Sequence, residues 1–322
     1  MEHPPRVEDM RQWLAQENPL GLFNDQAGIT LADIDPSPYS GHFDFLVESS
    51  GRQLVVRMKG SEWGTGEGLV DEYHTLCRIA QHKVAPAVYY LTTQFFGEPM
   101  ILEEYIVGTL FPQFAHTAQS IAAPAVGRFI ATINQIPFAI KDFPFRQLFT
   151  SYMKSAHRLY QRIAFIADCK ETKSCGRELL SFLPGIKSIL NEYDILLQRV
   201  LEKTGPSFVF PSAHAGHLVV CKDEFRFFNW EKVSYGDPSY TLAVFLLSLE
   251  KQHPDFEGFK ARMIDAYLAL NPIPEFKELL EARMVERRVA NAVYQIYMSA
   301  KKGITYPSWQ RIFAWMQQWT GK

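Results

Sequence analysis

Two groups of residues in this sequence have types and spacings that could do chemistry. The denser one runs from Phe210 to Ala243 and contains Ser212, His214, His217, Asn229, Glu231 and Asp237. His214 and His217 stand three apart on a predicted loop, and with Glu231 they offer a nitrogen, nitrogen, oxygen set suited to zinc or copper. The same two imidazoles serve equally well as structural, hydrogen-bonding groups. Asp237, inside Gly-Asp-Pro, reads as a turn and helix-capping aspartate. The second group is Arg57 and Lys59, two apart on a predicted strand and so on one face, where either could meet Glu72 from a predicted helix. That pair is either a phosphate-binding cation oriented by a carboxylate or an ordinary ion pair.

The elements that must position these groups follow from hydrophobic periodicity. A short helix is expected over 11–16, then strands over 42–47 and 53–58 joined by the turn Glu48-Ser49-Ser50-Gly51-Arg52. Residues 61–68 hold three glycines and read as loop. A helix over 69–82 and two strands over 87–92 and 99–105 complete the first third. Beyond residue 121 the pattern is helical at 121–135, 145–167, 175–203, 240–250 and 275–302. One hairpin, 218–220 with 225–228, interrupts it. The boundary is expected near residue 105, giving a lobe over 1–105 and a larger helical lobe over 106–322 that contains the hairpin region 210–231. A ligand cleft would lie between two such lobes.

Composition narrows the function classes. The chain has 322 residues, is 47% hydrophobic and carries 33 basic against 35 acidic residues, a formal net charge of -2. It is therefore globular, and no global field holds nucleic acid or an anionic membrane, so neither is expected as a partner. Four cysteines (Cys77, Cys169, Cys175, Cys221) make no disulfide framework in a chain this long. The polar start Met1-Glu2-His3-Pro4-Pro5 has no apolar signal core, and a cytoplasmic location is expected. The tryptophans at 309, 315 and 319 read as packing groups.

The order of motifs resembles the aminoglycoside phosphotransferase and choline kinase-like family, whose fold is protein kinase-like. The family text H-G-D-x-H-x-x-N, then I-D-W-E, then G-D-P-x-x-D-L-A corresponds to Phe210 to Ala243. Val55-Val56-Arg57 sits at the strand with the phosphate-binding base, Glu72 at its helix partner, and Glu103-Glu104-Tyr105-Ile106-Val107-Gly108 at the hinge. Phe129 to Asn134 matches a helix that ends in Leu-His. The resemblance covers about residues 25 to 250. It implies an α+β, two-lobed fold with a small antiparallel-sheet N-lobe and a large, mainly helical C-lobe. It also implies nucleotide-side residues Arg57, Lys59, Glu72, Glu103 and Tyr105, with ATP, ADP or another nucleotide as ligand.

The same register places Ser212 at the family's proton-accepting Asp, and His217 and Asn229 at its metal-binding Asn and Asp. Phe210 stands at the leading His and Thr241 at the last Asp. Magnesium, which takes hard oxygen ligands, is not expected at such a site. The segment Ser37 to His42 takes the place of a phosphate-covering loop, with one glycine and a proline. The expectation is a kinase-fold binding or regulatory module that transfers no phosphate, its small-molecule or protein partner unnamed. The alternatives are an active phosphotransferase with rearranged groups, Glu231 or Asp237 supplying the carboxylate, or an enzyme of another reaction type using His214 and His217.

Overall fold

The computed structural model describes residues 7–23, 28–34, 42–59, 66–95, 97–138, 149–222, 224–230, 232–302, 316–317 and 320. The chain forms two compact units. The first comprises residues 1–119, 136–145 and 212–233, and the second residues 120–135, 146–211 and 234–322. The expected cut near residue 105 follows the chain, whereas the compact units interleave it. The hairpin 212–233 belongs with the first unit because it pairs there.

In the first unit, α1 (Val7–Glu17) precedes the sheet strands β1 (Thr30–Asp33), β2 (His42–Ser49) and β3 (Arg52–Lys59). After α2 (Gly66–Ile79) come β4 (Val88–Phe95) and β5 (Glu98–Glu104). The five strands form one antiparallel sheet in the order β1-β2-β3-β5-β4. Alternation sorts its two faces. Phe45, Val47, Leu54, Val56, Met58, Met100 and Leu102 form a core with Met10 and Leu14 of α1. His42, Asp44, Val55, Arg57 and Glu103 stand on the other face, where α2 buries Leu69, Leu76 and Ile79. The charged candidates are thus on the α2 side.

A second small sheet joins β6 (Thr109–Leu110) to the hairpin of β8 (Leu218–Cys221) and β9 (Glu224–Phe227). Gly108 is where this junction closes. A Cβ there would lie 2.5 Å from the Val220 carbonyl oxygen and 2.6 Å from Val219 Cγ1, so only glycine fits.

The second unit is helical. It is built from most of α3 (His116–Asn134), α4 (Tyr152–Asp168), the long α5 (Lys173–Thr204), α6 (Tyr240–Leu249), α7 (Phe256–Leu270) and α8 (Phe276–Lys302), with the short ribbon β7 (Ser207–Val209) and β10 (Ser234–Gly236). Ser151 caps α4 by accepting from the Lys154 amide at 3.3 Å. Helix α7 was not expected from sequence, although Asp255 caps it and Phe256, Phe259, Met263 and Tyr267 give helical spacing. The apolar stripe expected on the last helix is real, with Val289, Val293 and Ile296 all buried. Helix α2 starts inside the predicted loop, at Gly66. Residues 60–65, and the tryptophans at 309, 315 and 319, lie outside the described residues. No described helix is long and apolar enough to cross a membrane.

At the centre of this unit Asp237 has no exposure. Its Oδ1 accepts from the Ser239 amide at 2.8 Å and the Ser239 hydroxyl at 2.6 Å. Its Oδ2 accepts from Arg283 Nε at 2.6 Å and the Tyr152 hydroxyl at 3.4 Å. The Arg283 guanidinium also lies 3.8 Å from the Tyr152 ring centroid. Removing one partner of a buried pair strands the other charge, at a cost of about 3–5 kcal/mol. Asp237→Ala is therefore expected to lower the urea-unfolding free energy by that amount, whereas Arg288→Ala, in the half-exposed pair with Glu250, costs under about 1 kcal/mol. Equal small losses would remove Asp237 from the centre of the fold.

Candidate functional site

Every candidate on the nucleotide side belongs to the first unit, and Arg57 is their hub. The register sets Asp44 directly opposite it on β2. Its Nε donates to Asp44 Oδ1 at 3.0 Å, its Nη1 to Glu72 Oε1 at 2.7 Å, and its Nη2 lies 3.0 Å from His42 Nδ1. Glu103 Oε1 stands 3.8 Å from Nη1. Arg57 is only 3% exposed. Burial works against its charge, and Asp44 and Glu72, joined by Glu103 when that group ionises, outweigh burial, so the guanidinium is held ionised above the ordinary arginine range. Three edges of the fork are thus committed to protein groups.

Glu72, with no exposure, does more than pair with Arg57. The same Oε1 accepts from the Trp230 amide at 2.5 Å, tying α2 to the end of the hairpin. Trp230 in turn donates from Nε1 to the Phe227 carbonyl at 2.7 Å. The second oxygens of Glu72 and Glu103 are buried without a hydrogen-bond partner. Burial pushes the Glu103 carboxyl up to about 8, Arg57 opposing and Glu72, Asp44 and Glu104 adding to the rise. At neutral pH it therefore holds a proton. The remaining set, one guanidinium and two carboxylates, has a net negative charge.

Lys59 does not join this hub. It reaches Glu98 at 3.3 Å and is partly exposed. Tyr105 lines a cleft of about 860 Å³ with Leu54, Arg52, Tyr89, Glu104 and Val107. Leu54 and Glu104 pair across β3 and β5 and so share the α1 face. Glu48 and Gln53, also in its lining, stand on the other face, so the cleft lies at the end of the sheet away from Arg57. His42, Asp44, Glu104 and Arg226 were not singled out from sequence. Glu104 is held by Arg226 Nη1 at 2.8 and 2.9 Å and by the Ala87 amide at 3.0 Å. Asp44 faces Arg57 because β2 and β3 pair in that register, which only the folded sheet shows.

On the hairpin, Ser212 presents its carbonyl rather than a carboxylate. That oxygen accepts from the His214 amide at 2.7 Å and from His217 Nδ1 at 2.7 Å. The His217 ring lies 5.0 Å from Phe228 and 5.7 Å from His214, centroid to centroid. Nδ1 must donate to the carbonyl, which fixes the tautomer. Asn229 adopts φ 69°, in the left-handed region that asparagine tolerates, and its Oδ1 is buried without a partner. Glu231 and residues 35–41 of the proposed phosphate-covering loop lie outside the described residues. Among the described residues no group of three His, Cys, Asp or Glu could hold a metal. Asn229 Oδ1 is the one hard oxygen acceptor left without a partner among the described residues of this loop.

The loop's supports, in the second unit, are neutral. Asn134 Nδ2 donates to the Phe208 carbonyl at 2.6 Å and to Thr241 Oγ1 at 3.3 Å, and Thr241 Oγ1 accepts from the Phe210 amide at 3.0 Å. Asn134 and Thr241 thus replace a resemblance-implied His and Asp with a pair that still anchors the strand. Gly236 has φ 138°, and a Cβ there would meet the Phe149 carbonyl oxygen at 2.3 Å. Gly-Asp-Pro is a packing and turn element here. The expected helix cap is not formed, since the N-cap of α6 is Ser239 without a side-chain cap, and both oxygens of Asp237 are engaged by Ser239, Arg283 and Tyr152.

A profile of the phosphotransferase enzyme family matches residues 37–279. The chain belongs to that family. No curated protein matches it by sequence. Among solved structures, choline kinase from Cryptosporidium parvum superposes with a TM-score of 0.68 at 12% identity, covering 97% of this chain and 95% of that one. A spectinomycin phosphotransferase, solved with ADP and spectinomycin, gives 0.61 at 13% identity, covering 98% and 100%. Choline kinase from Streptococcus pneumoniae gives 0.58 at 12% identity, covering 97% of each. This phosphotransferase-family chain therefore has the α+β kinase-like fold that its motifs implied.

The buried Glu103 gives the family member a pH signature. Its folded-state value lies above the ordinary one of 4.5, so between about 4.5 and 8 the folded protein keeps a proton that the unfolded chain releases. Stability therefore falls as pH rises through that window, by up to about 1.4 kcal/mol per unit, and levels off above it. Glu103→Gln should remove this slope, so that its advantage in urea unfolding grows from pH 5 to pH 8. Parallel wild-type and variant curves would contradict a protonated Glu103.

Proposed function

We propose that this phosphotransferase-family protein is a pseudokinase, a binding or regulatory module that transfers no phosphate. The observation that carries the proposal is the closure of Arg57 by Asp44, Glu72 and His42 at 2.7 to 3.0 Å, at 3% exposure. A cation that must meet nucleotide phosphates cannot spend its donors on three protein acceptors. The surrounding charge is net negative, and at a few ångströms it repels further anions. Ser212, His217 and Asn229 complete the picture, since phosphoryl transfer uses a carboxylate to take the acceptor's proton and oxygen ligands to hold magnesium. Serine supplies no base at neutral pH, and losing a general base costs about 10²–10⁴ in rate.

The relatives' ADP-bound structures support a nucleotide as ligand of the same fold. In this chain such a nucleotide would be held through its base and without magnesium. One observation favours an active transferase instead: the Arg57–Glu72 pair is formed, at 2.7 Å. In that reading Glu231 would be the substitute carboxylate.

The two readings separate in one experiment. The chain is incubated with ATP and magnesium and with choline, spectinomycin or no acceptor, and ADP release is followed. No release above buffer is expected, while ATP or ADP raises the melting temperature equally with and without magnesium. A ligand at a hundred times its dissociation constant adds about 2.7 kcal/mol. Magnesium-dependent ADP release that disappears in Glu231→Gln would replace the pseudokinase with the active enzyme.

A further inference from the structure

Helices α4 and α8 of the second unit pack side by side and in the same direction. Arg283 lies over Tyr152, Arg162 over Tyr294 at 4.7 Å, Phe165 against Tyr297 at 5.0 Å, and Cys169 Sγ 3.9 Å from the Ala300 carbonyl. The contacts step along both helices together. The ridge carries an excess of basic residues: α4 has three against Asp168 at its last position, and α8 has six against Glu278, Glu281 and Glu286. The chain as a whole is balanced at 33 against 35.

Arg162 sits in the middle of this asymmetry. It is half-buried, and among the described residues no carboxylate lies within ion-pairing distance of it. The acidic residues that meet the α8 arginines are paired there: Glu286 with Arg283 at 3.1 Å and Arg287 at 3.4 Å, and Glu250, at the end of α6, with Arg288. Burial pulls the Arg162 guanidinium below the ordinary arginine range, Tyr294 and Tyr297 oppose this, and Arg287 and Arg158 add to it. A partly desolvated cation is normally paired. Here the partners supplied by the fold are two aromatic rings and two like charges. Phe165 and Tyr294, both 42% exposed, leave an apolar step beside the guanidinium.

We propose that the α4–α8 ridge around Arg162 binds the phosphoryl dianion of a soluble phosphate monoester, whose body rests on Tyr294 and Phe165. Arginine suits this role because its planar fork meets two phosphate oxygens at once. Arg158 and Arg287 add positive charge beside Arg162, that of Arg287 being shared with Glu286, and this draws anions to the ridge. This site uses none of the residues around Arg57, so it holds or fails independently of the pseudokinase reading.

The test is calorimetric titration with phenyl phosphate, inorganic phosphate and benzoate at fixed ionic strength. The expected order is phenyl phosphate tighter than inorganic phosphate, and both tighter than benzoate. Arg162→Gln should weaken phenyl phosphate at least tenfold, Arg162→Lys should keep part of the affinity, and Tyr294→Leu should erase the advantage of phenyl over inorganic phosphate. The far-ultraviolet circular dichroism spectrum and a cooperative ligand-free melting transition serve as the folding control and should be retained in all three. Phenyl phosphate binding that is indifferent to Arg162→Gln would overturn the site. So would binding confined to phosphatidic acid vesicles and lost in Arg162→Gln, which would give the phosphate to a lipid headgroup.

Discussion

A guanidinium buried to 3% exposure and ringed by carboxylates is the constraint on which the first unit depends. Transferring a lone ionised group out of water costs far more than any single contact returns. Arg57 is tolerable only because Asp44, Glu72 and His42 accept its donors, and Glu103 is tolerable beside Glu72 only because it keeps a proton. The hub draws on β2, β3, α2 and β5, and through the Trp230 amide it reaches the hairpin. One charge network therefore fixes the sheet, the helix on its face and the loop that would carry catalysis. An arginine so employed is a structural element, and the proposed pseudokinase reading rests on that.

The second unit follows the same logic with a different outcome. Asp237 and Arg283 have almost no exposure and pair with each other alongside Ser239, Tyr152 and Glu286, leaving only Arg283 Nη2 of the guanidinium without a hydrogen-bond partner. What a motif comparison would file as a remnant of catalysis is the core of the helical unit. Asn134 and Thr241 show the reverse case, in which charged groups have gone and a neutral hydrogen bond does their anchoring. In both cases the residues hold the backbone in place, and fold alone does not fix the chemistry.

Much of this was legible in the sequence. Alternation and turn residues located β2, β3 and β5 within a residue or two, because a half-buried strand enforces period two. The hairpin 218–227 and the apolar stripe of α8 were equally plain. Helix α7 was missed because its periodic residues follow a short loop after α6 and were not weighed. The Arg57–Glu72 pair could be anticipated from strand and helix order, with Lys59 as an equal choice. The register decided between them by putting Asp44 opposite Arg57. His42, Asp44 and the rise of Glu103 could not be read from spacing, because they depend on which strands neighbour one another and on burial, both properties of the folded chain.

The claim that Arg57 is a locked structural cation is tested most directly by the ¹⁵N–¹H resonance of its Nε–H group. The bond to Asp44 Oδ1 at 3.0 Å and the burial around it predict a signal protected from solvent exchange, assigned by its loss in Arg57→Met. Saturating ATP, with or without magnesium, should leave its shift and its protection unchanged. A shift on adding ATP with magnesium, with loss of the Asp44 bond, would show the guanidinium turning to phosphate and would contradict the account.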